Sequence, residues 1–133
     1  MSVEPRLEDI QLTLVREMAD VERMMAWLGE RRRFLAVDVE TEGLNVGCDR
    51  IRLCQFGDAR QGWALDWRDW RGICAEIIGK YDRPMVAHNL LFDSKMLRAD
   101  GVTIPQLLAH DSMIMTHLAN PAADSFISPT NSV

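Results

Sequence analysis

The sequence lacks any long run of apolar residues, so no segment of it has the length of a membrane span. Its first residues are polar and charged and do not form the apolar centre of a signal peptide. It has only three cysteines, Cys48, Cys54 and Cys74, an odd number without a C-x-x-C pair. These features indicate neither a disulfide framework nor a zinc site. We expect a cytoplasmic protein with reduced thiols and no membrane association.

Basic residues are also few, with 15 Lys and Arg against 20 Asp and Glu and a net charge of −5. A protein that holds nucleic acid by bulk electrostatic attraction is normally basic. A nucleic-acid-binding protein of this composition therefore needs a local basic rim or divalent metal ions. The length of 133 residues and the hydrophobic content of 47% fit one globular domain better than a disordered chain.

Hydrophobic periodicity predicts an alternation of strands and helices. The predicted elements are strands over 10–15, 34–39, 51–56, 62–66 and 84–88, and helices over 20–29, 69–79, 90–99 and 111–118. Asp20 and Asp111 are the expected N-caps of the first and last helix, and Gly101 is expected to end the helix over 90–99. The run over 34–39 is almost wholly apolar, which is typical of a central strand buried on both faces.

The order of these elements predicts the fold. The strands over 34–39, 51–56 and 62–66 are expected to form an antiparallel meander, followed by helix, strand and helix. This order favours an α/β fold with a mixed sheet, and the ribonuclease-H-like three-layer fold has this arrangement. Residues 120–133 are small and polar with two prolines, so we expect a disordered tail after a domain over 1–119.

Two acidic residues interrupt the pattern of the second predicted strand. Asp38 and Glu40 are two residues apart, so their carboxylates point to the same face of a strand. Two negative groups that close repel each other unless a counter-charge neutralises them. Mg²⁺ or Mn²⁺ is the natural counter-charge because hard carboxylate oxygens suit these ions. A strand end that enters solvent is the alternative, and D-x-E alone is a weak signal.

Three segments together have the form of known motifs. Residues 38–44 (DVETEGL) follow a hydrophobic strand as D-x-E-T, and residues 89–93 (NLLFD) have the form N-x-x-[FY]-D between a strand and a helix. Residues 110–113 (HDSM) contain a D-[TS]-M helix start. The combination resembles the DnaQ-like (DEDD) 3′–5′ exonucleases, most closely the exonuclease domain of family A (Pol I-type) DNA polymerases. Residues 10–118 are similar to that domain in layout.

The resemblance implies a two-metal nuclease site. Asp38 would bridge two Mg²⁺ or Mn²⁺ ions, Glu40 would bind the ion that activates water, and Asp93 would hold the second ion. These three acids are the expected catalytic residues and metal ligands. Two ions about 3.5–4 Å apart stabilise the attacking and leaving oxygens in phosphodiester hydrolysis. They also reverse the local field that a phosphate meets in an acidic protein.

The resemblance also implies five substrate-binding residues. Thr41 matches a backbone contact to the terminal 3′-hydroxyl, and Leu44 matches an apolar wedge beside the terminal base. Asn89 and Phe92 match residues that line the pocket of the terminal nucleotide, and His88 is adjacent to them. Core packing for Phe92 and an ordinary loop position for Leu44 are the alternatives. The expected partner is the 3′ end of single-stranded DNA, with RNA as the alternative because RNase D-like enzymes share these motifs.

Other polar and aromatic residues have simpler interpretations. Arg31–Arg33 is expected to be a solvated turn. Trp63, Trp67 and Trp70 are expected to pack in the core, although base stacking is conceivable. His110 is expected to be structural.

The chain departs from the family in its C-terminal part. The fourth acid of the family lies in Y-x-x-x-D or H-x-x-x-D, and no acid after Asp93 has this context. We therefore expect a C-terminally truncated form of the fold. Two functions stay open: a proofreading-type 3′–5′ exonuclease, and a non-catalytic module that binds nucleic acid 3′ ends or a partner protein. A polymerase domain or a second chain that completes the fold is a further possibility.

Overall fold

The computed structural model describes residues 7–105 and 109–111 of the chain. After a 3₁₀ turn at Leu7–Asp9, the elements are strands β1 (Gln11–Leu14), β2 (Leu35–Thr41), β3 (Ile51–Gly57), β4 (Gln61–Asp66), β5 (Met85–Ala87) and β6 (Ala109–Asp111), and helices α1 (Met18–Leu28), α2 (Trp67–Lys80) and α3 (Leu90–Ala99). The five predicted strands and the first three predicted helices are confirmed. The tail over 120–133 and the helix predicted after Asp111 lie outside the described residues.

The strands form one mixed sheet in the order β1-β4-β3-β2-β5-β6. Strands β2, β3 and β4 are the predicted antiparallel meander, and β1 lies parallel to β4. On the other side, β5 is parallel to β2 and β6 is parallel to β5. The predicted α/β class with a mixed sheet is thereby confirmed. Because β2, β5 and β6 run in the same direction, their carboxyl ends meet at one edge of the sheet.

The hydrophobic core lies between one face of the sheet and the helices. In β2, Leu35, Val37 and Val39 are buried while the residues between them are exposed. The strand register places Phe56 and Cys54 opposite Val37 and Val39, and both are buried in the same cluster. Buried residues of all three helices join that cluster. The described residues thus form the sheet and one layer of helices.

None of the three described helices covers the other face of the sheet, and the β2 residues on it are exposed, which contradicts the prediction that β2 is buried on both faces. One row of residues across four strands, Asp38, Gln55, Ala64 and Leu14, lies on this face. Leu14 is 47% exposed, and Leu12 on the same strand is 78% exposed. The buried apolar residues of β2 all face the helices, and Asp38, which alternates with them, points away from the core.

The predicted N-cap of α1 is wrong, and the predicted glycine at the end of α3 is confirmed. Asp20 is the third residue of α1, not its N-cap; the cap is Glu17. Asp20 reaches back, and its Oδ2 accepts hydrogen bonds from the backbone N–H groups of Arg16 (2.9 Å) and Glu17 (3.2 Å). At the C-terminal end of α3, Gly101 has φ of +83°, the left-handed conformation in which a glycine commonly ends a helix.

The predicted solvated turn is wrong at Arg32. Its side chain is only 5% exposed, and its guanidinium lies 4.2 Å from the centre of the Trp27 ring. Arg32 also pairs with Asp58 at 3.4 Å, and the same carboxylate oxygen accepts a hydrogen bond from Trp27 Nε1 at 3.0 Å. The packing predicted for the tryptophans is confirmed, since Trp63 and Trp67 are buried. No helix within the described ranges is long and apolar enough to cross a membrane.

Candidate active site

Asp38 and Glu40 lie side by side on the open face of β2. Asp38 is paired with Gln55 and Glu40 with Leu53 across the antiparallel ladder. Although Asp38 reaches the surface, partial loss of hydration raises its pKa, and the charge of Glu40 and a hydrogen bond between the two side chains raise it further. The pair is therefore held in a geometry that disfavours two full negative charges.

Asp93 lies in the first turn of α3 and belongs to the same electrostatic cluster. It is 4% exposed, and its Oδ2 is buried without a hydrogen-bond partner. Burial is the main cause that raises the pKa of Asp93 to about 7, and the charges of Asp38, Asp111 and Glu40 add to it. The three acids predicted from the motifs are thus close enough to perturb one another.

The turn between β5 and α3 positions Asp93. Asn89 is the N-cap of α3 and has φ of 81°, the left-handed conformation that asparagine tolerates better than most residues. Its Oδ1 accepts a hydrogen bond from the Phe92 backbone N–H at 3.4 Å. This sharp turn starts the helix one residue after Asn89, at the sheet edge where β2 ends. Asp93 therefore faces the strand that carries Asp38.

Asp111 is a member of the site that the sequence analysis did not identify. The helix over 111–118 that it was predicted to cap lies outside the described residues. Asp111 itself ends β6, and its carboxylate accepts hydrogen bonds from the backbone N–H groups of Asn89 (3.1 Å) and Leu90 (2.8 Å). It therefore caps α3, and its charge acts on Asp93. The signal that was available is topological, since an acid at the end of a strand parallel to β5 lies at the same sheet edge.

The predicted substrate-binding residues lie in different environments. His88 is exposed, and its charge lowers the pKa of Asp38, so the two side chains are neighbours. The Thr41 hydroxyl donates a hydrogen bond to the Gly43 carbonyl oxygen at 2.6 Å. Leu44 is 84% exposed in the loop after β2. Phe92 is half-buried and packs against the core.

The acids fit a hard divalent cation as a partial ligand set. Asp38 and Glu40 present carboxylates on one face, and Asp93 supplies a buried oxygen without a partner. Across residues 7–105 and 109–111, no three His, Cys, Asp or Glu side chains are arranged to hold a metal ion by themselves. Mg²⁺ is compatible with such a site because it retains water ligands and is held by one or two carboxylates together with substrate phosphates.

No protein-family model and no curated protein matches this chain. Solved structures match it in fold. The catalytic core of RRP6 from Trypanosoma brucei superposes with a TM-score of 0.67 at 23% identity, over 95% of this chain and 37% of that one. NrnC from Brucella melitensis with bound Mg²⁺ gives 0.56 at 17%, over 90% and 55%. The EXD2 exonuclease domain soaked in Mn and GMP gives 0.58 at 15%, over 83% and 61%.

The matches extend over nearly the whole of this chain but only part of each neighbour. The chain spans about two fifths of the RRP6 catalytic core and less than two thirds of the other two structures. At these identities the likeness establishes the fold and no more. The chain has the ribonuclease-H-like fold of exonuclease domains, as the order of its elements predicted.

Proposed function

We propose that this chain is a 3′–5′ exonuclease that hydrolyses phosphodiester bonds at the 3′ end of single-stranded DNA. The observation that carries the proposal is the acidic cluster of Asp38, Glu40 and Asp93. The raised pKa values of Asp38 and Asp93, and the unpaired buried oxygen of Asp93, are the features expected of carboxylates that await a cation. The likeness in fold to exonuclease domains supports the same assignment.

The cofactor that suits this cluster is Mg²⁺ or Mn²⁺. Asp38, Glu40 and Asp93 would hold the ions. Bound ions supply a lowered pKa for the attacking water and stabilise the charge that develops on the phosphate. Mg²⁺ and Mn are present in two of the structural neighbours, NrnC and EXD2.

The residues around the acids would position the terminal nucleotide. Leu44 is an exposed apolar side chain in the loop that follows Glu40, where a base could cover it. Thr41 would contribute the backbone contact to the 3′-hydroxyl. Asn89 and Phe92 begin α3 and would line the nucleotide pocket, with His88 beside Asp38. A proofreading role beside a DNA polymerase is part of the proposal.

A binding module without catalytic activity is the second candidate. The incomplete ligand set in the described part of the chain favours it. The exposed sheet face bears on both candidates, because Leu14, in the row that contains Asp38, and Leu12 on the same strand expose apolar surface there. A further polypeptide layer over this face, from a polymerase domain or a second chain, would cover that surface and could supply another acidic ligand.

The decisive experiment follows the length of a 5′-labelled single strand in the presence of Mn²⁺. The chain should shorten the strand stepwise from its 3′ end, and Asp38→Asn with Glu40→Gln should abolish this shortening while the fold is retained. Single strands of DNA and RNA with the same sequence are compared in parallel to identify the preferred sugar. Shortening that persists in the double variant would exclude the proposed catalytic residues. Retained 3′-end binding without shortening in either protein would favour the binding module.

A further inference from the structure

Apart from the acidic cluster, a polar cleft lies on the helical side of the sheet, beyond the end of β2. It has a volume of about 940 Å³ and is formed by the loop over 42–50, the start of β3, the start of α2 and the end of α3. Four arginines line it, at positions Arg50, Arg52, Arg68 and Arg71. Four acids also line the cleft, so its formal charge is balanced, and the bonding of each charged group decides which of them can meet a ligand.

The cleft also contains four acids, but each is already bonded within the protein. Glu42 Oε1 accepts a hydrogen bond from the Arg50 backbone N–H at 2.9 Å, and Asp49 Oδ2 accepts one from the Asn45 N–H at 2.8 Å. Asp66 and Asp100 are engaged as well: Asp66 caps α2 through the Arg68 N–H, and Asp100 binds Trp67 and Arg71. Each of these carboxylates therefore already has a hydrogen-bond donor within the protein.

Three of the arginines are free to meet a ligand. Within the described ranges, no hydrogen bond or ion pair holds the guanidinium of Arg50 or Arg52. Arg68 is 88% exposed and only approaches Asp69 at 3.9 Å. Each of the four carboxylates thus accepts a hydrogen bond within the protein, whereas the side chains of three arginines remain available to a ligand.

A β-bulge lies at one of these arginines. Glu40 pairs with Leu53 and Thr41 pairs with Ile51, so Arg52 is left as the extra residue of β3. Bulges are common beside active sites. Alternation from Phe56 and Cys54, which face the helices, places Arg52 on the helical side, where its side chain lines the cleft.

Two elements that line the cleft also carry members of the acidic cluster. Glu42 lines the cleft and is two residues from Glu40, about 7 Å along an extended chain. On α3, Met96 and Ala99 line the cleft and follow Asp93 by three and six residues, about 4.5 and 9 Å of helix rise. A polymer whose end lies at Asp93 can therefore reach the arginines within a short distance.

We propose that this cleft binds backbone phosphates of the nucleic acid strand whose 3′ end lies at the acidic cluster. The inference rests on the proposed function and adds a second binding site to it. Arg50, Arg52 and Arg68 would contact successive phosphates, since guanidinium groups bind phosphate oxygens in a bidentate manner. The three guanidinium groups would then supply the local cationic contacts that an acidic nuclease needs to hold a polyanion.

The test measures binding separately from hydrolysis. In EDTA, which prevents cleavage, the affinity for a labelled single-stranded 12-mer is measured by fluorescence anisotropy over a range of salt concentrations. The wild-type chain is compared with Arg50→Ala, Arg52→Ala and Arg68→Ala, singly and combined. The combined variant should bind about tenfold or more weakly, and its plot of log K against log salt should be shallower by about 2, at roughly 0.7 per lost phosphate contact.

The controls separate this effect from net charge and from folding. Arg60→Ala removes the same charge in the turn before β4, outside the cleft, and should leave the salt dependence unchanged. Lysine at the three positions should restore most of the affinity, and the melting temperature reports folding. Unchanged 12-mer affinity in the combined variant, no 12-mer binding by the wild type, or equal competition by oligo-glutamate would overturn the inference. Binding through the arginines without hydrolysis in Mn²⁺ would retain the inference and refute the exonuclease.

Discussion

The Asp111 carboxylate accepts a hydrogen bond from the Leu90 backbone N–H at 2.8 Å, and this bond joins the edge of the sheet to the start of α3. The first turn of the same helix carries Asp93, whose pKa the charge of Asp111 helps to raise. One side chain thus both fixes the helix that positions a candidate metal ligand and changes the proton affinity of that ligand. A substitution of Asp111 is therefore expected to change both the stability of α3 and the pKa of Asp93.

Asp111→Ala should destabilise the protein by about 1–2 kcal/mol, since it removes the acceptor of two N–H groups at the start of a helix. Asp111→Asn retains one acceptor oxygen and should cost less. Urea denaturation measures both changes. In the asparagine variant the pKa of Asp93 should also fall, because a neighbouring negative charge is lost. Equal stability of the alanine variant and the wild type would contradict the capping role.

Asp93→Asn should remove much of the pH dependence of stability near neutrality. The pKa of Asp93 rises from 3.8 to about 7 in the folded protein, so the fold favours the neutral carboxyl. Its stabilising contribution is complete below about pH 4 and is lost as the pH rises through about 7, a change of at most about 4 kcal/mol. The raised pKa of Asp38 acts in the same direction.

The measurement is urea denaturation in EDTA at several pH values between 4.5 and 8. The wild-type chain should lose stability with rising pH, and Asp93→Asn should lose distinctly less. Glu22→Gln removes an exposed acid on α1 and serves as the matched control, with a profile like that of the wild type. If Asp93→Asn retained the full wild-type slope, Asp93 would not be the group that titrates.

The positions of Asp38, Glu40 and Asn89 could be predicted from sequence because each depends on local pattern. The strand period sets the shared face of the two acids, and the motif around Asn89 predicts a strand followed by a helix. The sequence could not show that Asp111 caps α3, because those bonds join residues 22 and 21 positions apart. The burial of Arg32 is similar, since its partner Asp58 is 26 residues away.

The exposed face of β2 was mispredicted for a related reason. An apolar run is compatible with burial on one face or on two, and only the placement of helices decides between them. Here Leu35, Val37 and Val39 face the helices, and the intervening position of Asp38 faces away. Local pattern therefore identified the strand and its acids, while tertiary packing determined the environment of those acids.

Arg32→Met should destabilise the chain by about 3–5 kcal/mol, since it leaves the partly buried Asp58 carboxylate without its cation and removes the stacking on Trp27. The pKa of Asp58 is lowered in the fold, chiefly by hydrogen bonds from the Arg60 and Gln61 backbone and from Arg32 against the opposing effect of burial. Arg32→Lys keeps the charge but not the planar donors and should lie between. Urea denaturation at pH 7 distinguishes these variants, and a change below about 0.5 kcal/mol would show that the pair is solvated.

Leu44→Ala should reduce hydrolysis without an effect on stability. The side chain is 84% exposed, so its truncation removes little buried surface and should change the free energy of unfolding by less than about 0.5 kcal/mol. If Leu44 covers the terminal base, kcat/KM on single-stranded DNA should fall by about tenfold, the size expected when a few buried methyl and methylene groups are lost from a contact. Leu12→Ala is the matched control, because Leu12 is 78% exposed on the edge strand β1. A loss of activity that is equal in both variants would assign the effect to the apolar face as a whole, and no loss in Leu44→Ala would leave Leu44 an ordinary loop residue.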